Sequence, residues 1–286
     1  MSNTQSILFV IHPSRAEAAH YAAELQTLLL AAGCQVFTNN HSLLPSAPEH
    51  ASGNRYDLVV VLGGDGTILR AAELLGENTT PILGINLGNV GFLAQVTRPT
   101  MEDLVSAIVN RRFHFEPRLT VTYSVYRDGE LLTKGWALNE ATVERGSNQM
   151  VELFVQIDNR PLSMWGCDGV ICATPTGSTA YAFSAGGPVV WPEVDALVLL
   201  PLAAHALFSR PMVISPDSQI VVEIESATAE ISADGMRRTQ LLKGDRIILT
   251  RSPEKVNLVY IQDGVFTDRL VAKFKLPVEG WRGEAK

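Results

Sequence analysis

Gly63-Gly64-Asp65-Gly66-Thr67 sets one carboxylate among three glycines, directly after the aliphatic run Leu58-Val59-Val60-Val61-Leu62. Five aliphatic residues are too few for a buried helix and suit a central parallel strand covered on both faces. The glycines let the backbone turn tightly and approach a ligand closely. Residues 68–75, with Gly76 behind them, then read as a short helix and its stop. A strand, a glycine turn and a helix start together expose backbone N–H groups where the helix dipole favours an anion, which is the arrangement of a phosphate cradle. A carboxylate in that position would repel a bare pyrophosphate, so Asp65 requires a task of its own. It could accept the proton of a hydroxyl that attacks phosphorus, or help to hold a Mg²⁺ ion that screens the phosphates. The plainer alternative is a helix cap. Three glycines around the acid, after a buried strand, favour the chemical role.

A second cluster lies in residues 167–188. After a short apolar run, Thr174-Pro175-Thr176-Gly177-Ser178-Thr179-Ala180-Tyr181 gathers four Ser/Thr residues, a proline and a glycine. Hydroxyls and unpaired N–H groups suit the polar edge of a base or a ribose, and Tyr181 could lie against a ring. An ordinary Ser/Thr turn is the simpler reading of this run, and an Asp-Gly hairpin turn the simpler reading of Asp168-Gly169.

The elements that must position these residues follow from pattern. Residues 7–11 form another apolar strand, and Ser14-Arg15-Ala16-Glu17 is a capping-box sequence that starts a helix reaching about residue 32, with Gly33 as its stop. A strand at 35–38, a polar loop over 39–56 and a strand at 81–86 complete an alternation of strands and helices. That alternation means right-handed β-α-β units and a parallel sheet whose ligands sit at the carboxyl ends of the strands. The glycine turns at 63–66 and 88–91 fall there. Thr100 caps a helix over 101–110. From about residue 115 the texture changes: 119–126 alternates with period two, Asp128-Gly129 is a hairpin turn, and 130–143 reads as the return strand. Strand-like runs follow at 151–157, 220–224, 246–250 and 256–260.

The chain of 286 residues suggests two domains, and 46% hydrophobic with 19% charged residues is a globular composition. It contains no apolar run of membrane-spanning length and no basic leader at its start. Three cysteines, Cys34, Cys167 and Cys172, fit neither a disulfide framework nor a zinc site. These features point to the cytoplasm and away from a membrane. A net charge of −7 argues against a nucleic-acid surface, which needs a basic stripe, while a phosphorylated small molecule remains compatible. From Gly64 the third glycine of G-x-G-x-x-G is missing, and no G-x-x-x-x-G-K-[ST] occurs.

Taken in order along the chain, Gly63-Gly64-Asp65-Gly66-Thr67, Gly91-Phe92, Leu138-Asn139-Glu140, Gly166-Cys167-Asp168-Gly169, Thr174 to Tyr181, Phe266-Thr267-Asp268-Arg269-Leu270 and Gly280-Trp281-Arg282 resemble the motifs of the NAD kinases, the bacterial ones in particular. The first motif is shared with diacylglycerol-type lipid kinases; the hydroxyl-rich run with the upstream Asn-Glu is more specific. The resemblance implies an α/β N-terminal domain (1–115), a C-terminal all-β sandwich domain (116–265) and a C-terminal segment (266–286) that returns to the first domain. It implies phosphoryl transfer from ATP or polyphosphate, with Mg²⁺, to the adenosine 2′-hydroxyl of NAD. Asp65 would be the acid at that hydroxyl, within a turn whose Gly64 and Gly66 meet the nucleotide. By the same resemblance Asn139 and Glu140 would bind the adenine and ribose region, Asp168 the nicotinamide side, and Thr176, Thr179, Ala180, Tyr181 and Ser184 the adenosine pocket. Phe92 would pack near the reacting ribose, and Arg70 could approach phosphates. A homodimer or homotetramer is implied as well. The competing readings are a lipid kinase sharing the glycine turn and a dinucleotide sensor without chemistry.

Overall fold

A computed structural model describes residues 4–51, 53–76, 78–88, 90–94, 98–226, 228–262 and 264–278. The chain divides into two compact units, Met1–Pro117 with Val256–Lys286, and Arg118–Lys255.

The first unit is built on a six-stranded sheet in the order Gln35–Thr38, Ser6–Ile11, Leu58–Leu62, Ile82–Ile85, Val256–Tyr260, His114–Arg118. The four junctions among the first five strands are parallel. All five residues of Leu58–Leu62 are buried because helices lie on both faces of the sheet. Helices α1 (Ala16–Ala31) and α3 (Met101–Val109) share one apolar cluster with Val60, Leu62, Leu83 and Ile85. Helix α2 (Asp65–Leu75) packs against Leu58–Leu62 and Ile82–Ile85, and Gly84 has no Cβ because Ile68 of α2 and Ala94 fill that space.

Several local expectations are corrected. The capping box at Ser14 does not form: Arg15 is the N-cap of α1 without a side-chain bond, and Glu17 pairs instead with Arg98 at 2.9 Å. Thr100 does cap α3, its hydroxyl accepting from Asp103 N–H at 3.1 Å. Helix α2 begins at Asp65 rather than at 68, because Gly64 takes the extended N-cap conformation and Asp65 is already helical. Residues 256–260, grouped by pattern with the β domain, pair in parallel with Ile82–Ile85 in the first sheet, Leu258 beside Ile82 and Val259 beside Leu83. A single apolar strand carries no mark of which sheet will accept it. Helix α5 (Phe266–Phe274) follows; Gly280-Trp281-Arg282 lies outside the described residues.

The second unit is a sandwich of two six-stranded antiparallel sheets around one apolar core. One sheet runs Arg160–Cys167, Val151–Ile157, Ile220–Ile224, Arg246–Arg251, Val121–Arg127, Glu130–Ala137. The other runs Met212–Ile214, Leu197–Leu202, Gly169–Ala173, Glu140–Arg145, Thr228–Ala233, Arg237–Leu242. The expected single return strand over 130–143 is therefore two strands in different sheets, broken at Leu138-Asn139. Asp168-Gly169 is likewise not a hairpin turn: it links Arg160–Cys167 of one sheet to Gly169–Ala173 of the other. Among the described residues no helix is long and apolar enough to cross a membrane.

Candidate active site

In the first unit the glycine turn ends the central strand. Asp65 is half-buried, Gly64 half-buried and Gly66 exposed. The Asp65 side chain does not cap its own helix. It reaches the second glycine turn, where Phe92 N–H donates to Oδ2 at 2.8 Å and Leu93 N–H donates to Oδ1 at 3.1 Å. Gly91 permits this approach, since a Cβ there would sit on the Asp65 carboxyl group. A Cβ at Gly63 would collide with the Thr67 side chain, whose own Cβ would lie 2.8 Å away. The two glycine turns thus make one assembly with the acid as its link. Phe92 contributes its N–H to that assembly, while the residue is 5% exposed and its ring packs against Phe266 and Phe274 of α5. Arg70 is exposed on α2. Arg15, which the sequence offered no reason to single out, leans over Gly88 and donates to Leu87 O at 3.2 Å.

In the second unit the break at Leu138-Asn139 is organised by Asp234, in the hairpin that follows Thr228–Ala233. Its carboxylate accepts from Leu138 N–H at 2.9 Å, Asn139 N–H at 2.7 Å and Glu140 N–H at 3.4 Å, and its own N–H donates to Glu140 O at 3.0 Å. Arg237 pairs with it at 3.3 Å and stacks over Trp136. Asp234 has φ +50°, a left-handed turn that Asp tolerates better than most residues, with Gly235 after it. The Asp-Gly dipeptide was a visible signal of the turn, but its role as a cap for another strand was not.

The hydroxyl-rich run is stitched to the same corner. Thr174 N–H donates to Asn139 O at 2.8 Å, and Thr174 Oγ1 donates to Leu138 O at 2.6 Å. A Cβ at Gly177 would strike the Asn139 backbone. Ser178 Oγ donates to Pro175 O at 2.7 Å and accepts from Val190 N–H at 2.9 Å. Thr176 Oγ1 accepts from buried Arg118 at 3.3 Å, and Thr179 Oγ1 donates to Thr176 O at 3.2 Å. Most of these hydroxyls hold the turn in shape. Thr176 is buried and Thr179 and Ala180 are half-buried, while Tyr181 and Ser184, on the short helix α4 (Tyr181–Ser184), are exposed.

Tyr181, Ser184 and Asp168 line one cavity of about 500 Å³, together with Glu144, Arg145 and Asn148. Asp168 pairs with Arg145 at 3.1 Å. Arg145 and Asn148 were not anticipated, because a strand-end arginine and a loop asparagine look like surface residues in one dimension.

Glu140 stands apart electrostatically. Its side chain is buried, and its Oε2 has no hydrogen-bond partner. Burial first, and then the nearby Asp234, push its carboxyl from 4.5 up to about 8, against the opposing pull of the Tyr181 N–H. Burial also raises Asp234, opposed by the three N–H groups and Arg237. With that support on Asp234, the proton of the pair rests on Glu140. Among the described residues no group of three or more His, Cys, Asp or Glu side chains is arranged to hold a metal ion.

Comparison with known proteins bears on both units. A family model described as the ATP-NAD kinase N-terminal domain matches residues 46–113, and one described as the ATP-NAD kinase C-terminal domain matches residues 138–261. An NAD kinase of Leifsonia xyli subsp. xyli is 46% identical over 299 residues, spanning 99% of this chain and 98% of that protein. An NAD kinase of Thermobifida fusca is 52% identical over 236 residues, 80% of this chain and 72% of that one. Among solved structures, an NAD kinase from Archaeoglobus fulgidus in complex with ATP has a TM-score of 0.70 at 28% identity, covering 94% of this chain and 98% of that one. A yeast NADH kinase complexed with NADH shares the fold with a TM-score of 0.88 at 24% identity, over 98% of this chain and 90% of that one. Both domain models, in order, and relatives alike along the whole length lead to one conclusion: the chain belongs to the NAD kinase family.

Proposed function

We propose that the chain transfers the terminal phosphoryl group of ATP to the adenosine 2′-hydroxyl of NAD, giving NADP, with Asp65 as the acid that accepts and orients the hydroxyl proton. The observation that carries the reading is the Asp65 carboxylate, set at the end of the phosphate-type turn and aimed by two N–H groups of a separate loop. Binding alone gives no reason to place a carboxylate beside phosphates. Phosphoryl transfer has a loose transition state that demands little nucleophilic push, so a correctly aimed carboxylate supplies what is needed and positioning does most of the work.

Recognition of the dinucleotide falls to the second unit. Tyr181, Ser184 and Asp168 offer a ring face, a hydroxyl and a carboxylate around one cavity, and Arg145 adds a guanidinium there. Asn139, Thr176, Thr179 and Ala180 form the frame behind it, through bonds already made within the turn. Glu140, holding its proton near neutral pH, would serve as a hydrogen-bond donor to a ring nitrogen or ribose oxygen. In the first unit Gly64 and Gly66 leave the start of α2 open to phosphates, and Arg70 is a candidate for their outer charge.

A divalent ion fits this arrangement as a passenger on the donor. The turn carries a single carboxylate whose two oxygens both accept N–H groups, so it suits Mg²⁺, which keeps its waters and its phosphate ligands, better than an ion needing a protein cage. When bound, the ion neutralises charge on the transferred phosphoryl group. Polyphosphate as an alternative donor, a cytoplasmic location and a homodimeric or homotetrameric state complete the proposal.

A donor-by-acceptor assay tests it: NAD and NADH are each offered ATP or polyphosphate with Mg²⁺, and a lipid acceptor is run in parallel. NADP or NADPH as product is the expected result. Phosphate appearing on the lipid alone would overturn the reading, and dinucleotide binding without product would favour a sensor.

A further inference from the structure

The two N–H groups that aim Asp65 belong to a loop that is gripped from the far end of the chain. Within the first unit, three consecutive contacts fall on residues 90–93. Lys273 Nζ donates to Val90 O at 2.9 Å. The Phe92 ring sits 6.0 Å from Phe266 and 5.7 Å from Phe274, centroid to centroid. The Tyr260 hydroxyl donates to Leu93 O at 3.1 Å, in a buried position. Tyr260 is itself fixed, because the Arg269 guanidinium covers its ring at 4.2 Å while bonding both carboxylate oxygens of Glu116 at 3.3 and 3.1 Å.

These contacts alternate with the bonds to the acid. Phe92 and Leu93 donate to Asp65 through N–H, while the Phe92 ring, the Leu93 carbonyl and the Val90 carbonyl are held by residues 260–274. Gly91 lies in the middle, where the missing Cβ makes room for the Asp65 carboxyl group, and a glycine restrains its own backbone less than any other residue. A helix that merely covered the sheet edge would need apolar contacts alone. Helix α5 and the strand before it instead direct an ammonium, a hydroxyl and two rings at three residues, Val90, Phe92 and Leu93.

We propose that Tyr260, Lys273 and Phe274 are positioning residues for Asp65: they fix the 90–93 backbone so that its N–H groups hold the carboxylate in one orientation. The proposal rests on Asp65 being the acid at the hydroxyl. Since a misplacement of about 1 Å can lower turnover on the order of a hundredfold, loosening this loop acts on kcat and leaves dinucleotide recognition, which lies in the second unit, intact.

The test uses the full chain with saturating ATP and Mg²⁺, and compares Tyr260→Phe, Lys273→Met, Phe274→Ala and Phe274→Leu. For each, kcat and KM for NAD are measured together with hydrogen exchange at the Phe92 and Leu93 amides. The expected result is a fall in kcat of about tenfold for Tyr260→Phe and Phe274→Ala and about threefold for Lys273→Met, with KM for NAD within about twofold and faster exchange at both amides. Phe274→Leu is expected to recover most of the loss. Wild-type kcat in Tyr260→Phe and Lys273→Met, which are near-isosteric and keep the fold, would overturn the proposal even if exchange or melting changed. Asp65→Asn, measured alongside, separates the two failures. If it retains turnover, the assignment of Asp65 falls and the positioning role with it. If it loses turnover while the other variants keep theirs, the positioning role alone falls.

Discussion

Asp65 in the first unit and Glu140 in the second are both carboxyl groups beside the start of a helix, and their surroundings differ in kind. Asp65 is half-open to solvent and both of its oxygens accept backbone N–H groups from another loop. Glu140 is sealed, one of its oxygens has no partner, and the neighbouring Asp234 takes the N–H groups that might have served it. A group that must exchange a proton with a reacting hydroxyl has to remain reachable and well aimed. A group that only recognises can be buried and kept neutral, where burial raises its pKa and turns it into a donor. On the roles proposed for Asp65 and Glu140, the two units use the same side-chain chemistry for opposite ends.

The sharpest way to break this comparison is Asp65→Asn. Turnover is expected to fall by roughly 10²–10⁴ while calorimetric affinity for NAD stays near wild type, because the amide keeps the shape and loses the base. Equal turnover would place Asp65 on the same footing as Glu140.

Asp234→Ala comes next. It leaves the Leu138, Asn139 and Glu140 N–H groups without their acceptor in a buried corner, at about 1–3 kcal/mol for each group that water cannot reach. The expected outcome is a lowered denaturation midpoint and a KM for NAD raised at least about tenfold, with kcat changed far less. A kcat effect larger than the KM effect would show that the corner serves the chemistry and not recognition alone.

Glu140→Gln is a test of protonation. The folded-state value of about 8 lies above the ordinary 4.5, so the native protein binds this proton more tightly than the unfolded chain does. The associated stability is complete below about pH 4.5 and declines as pH rises through about 8. Gln, a neutral isostere, removes that decline. Denaturant midpoints of the variant should change less than wild type between about pH 6 and about pH 9, and KM for NAD should match wild type near neutrality and be lower than wild type at the alkaline end. Parallel pH profiles for both proteins would mean that Glu140 is already charged at neutral pH.

The smallest expected effect is at the cavity rim. Arg145 and Asp168 are each about 40% exposed, and an ion pair of that kind contributes about 0–1 kcal/mol to folding. Arg145→Ala should leave the melting temperature within about two degrees and raise KM for NAD a few fold. An unchanged KM would remove Arg145 from the recognition surface.

Much of the first unit was readable because its strands are covered on both sides, and a strand so covered must be apolar throughout, as 7–11 and 58–62 are. The second unit was harder. Period-two alternation reveals that a strand has an inside and an outside but not which of two stacked sheets it joins, so 130–143 looked like one strand and 256–260 like part of the sandwich. The failed capping box at Ser14 has a similar origin: the pattern was present, and Arg98 provided Glu17 with another partner.

By itself, then, the sequence determined which chemical groups the two clusters hold, since a carboxylate among glycines and a run of hydroxyls ending in Tyr181 are properties of residue type and spacing. Only the tertiary structure decided what aims them. Phe92 and Leu93 act on Asp65 through N–H groups that every residue but proline possesses, and Asp234 acts on Asn139-Glu140 in the same way. Contacts made through the backbone leave no signature in the side chains of the residues that donate them, so they become visible when the fold brings the segments together.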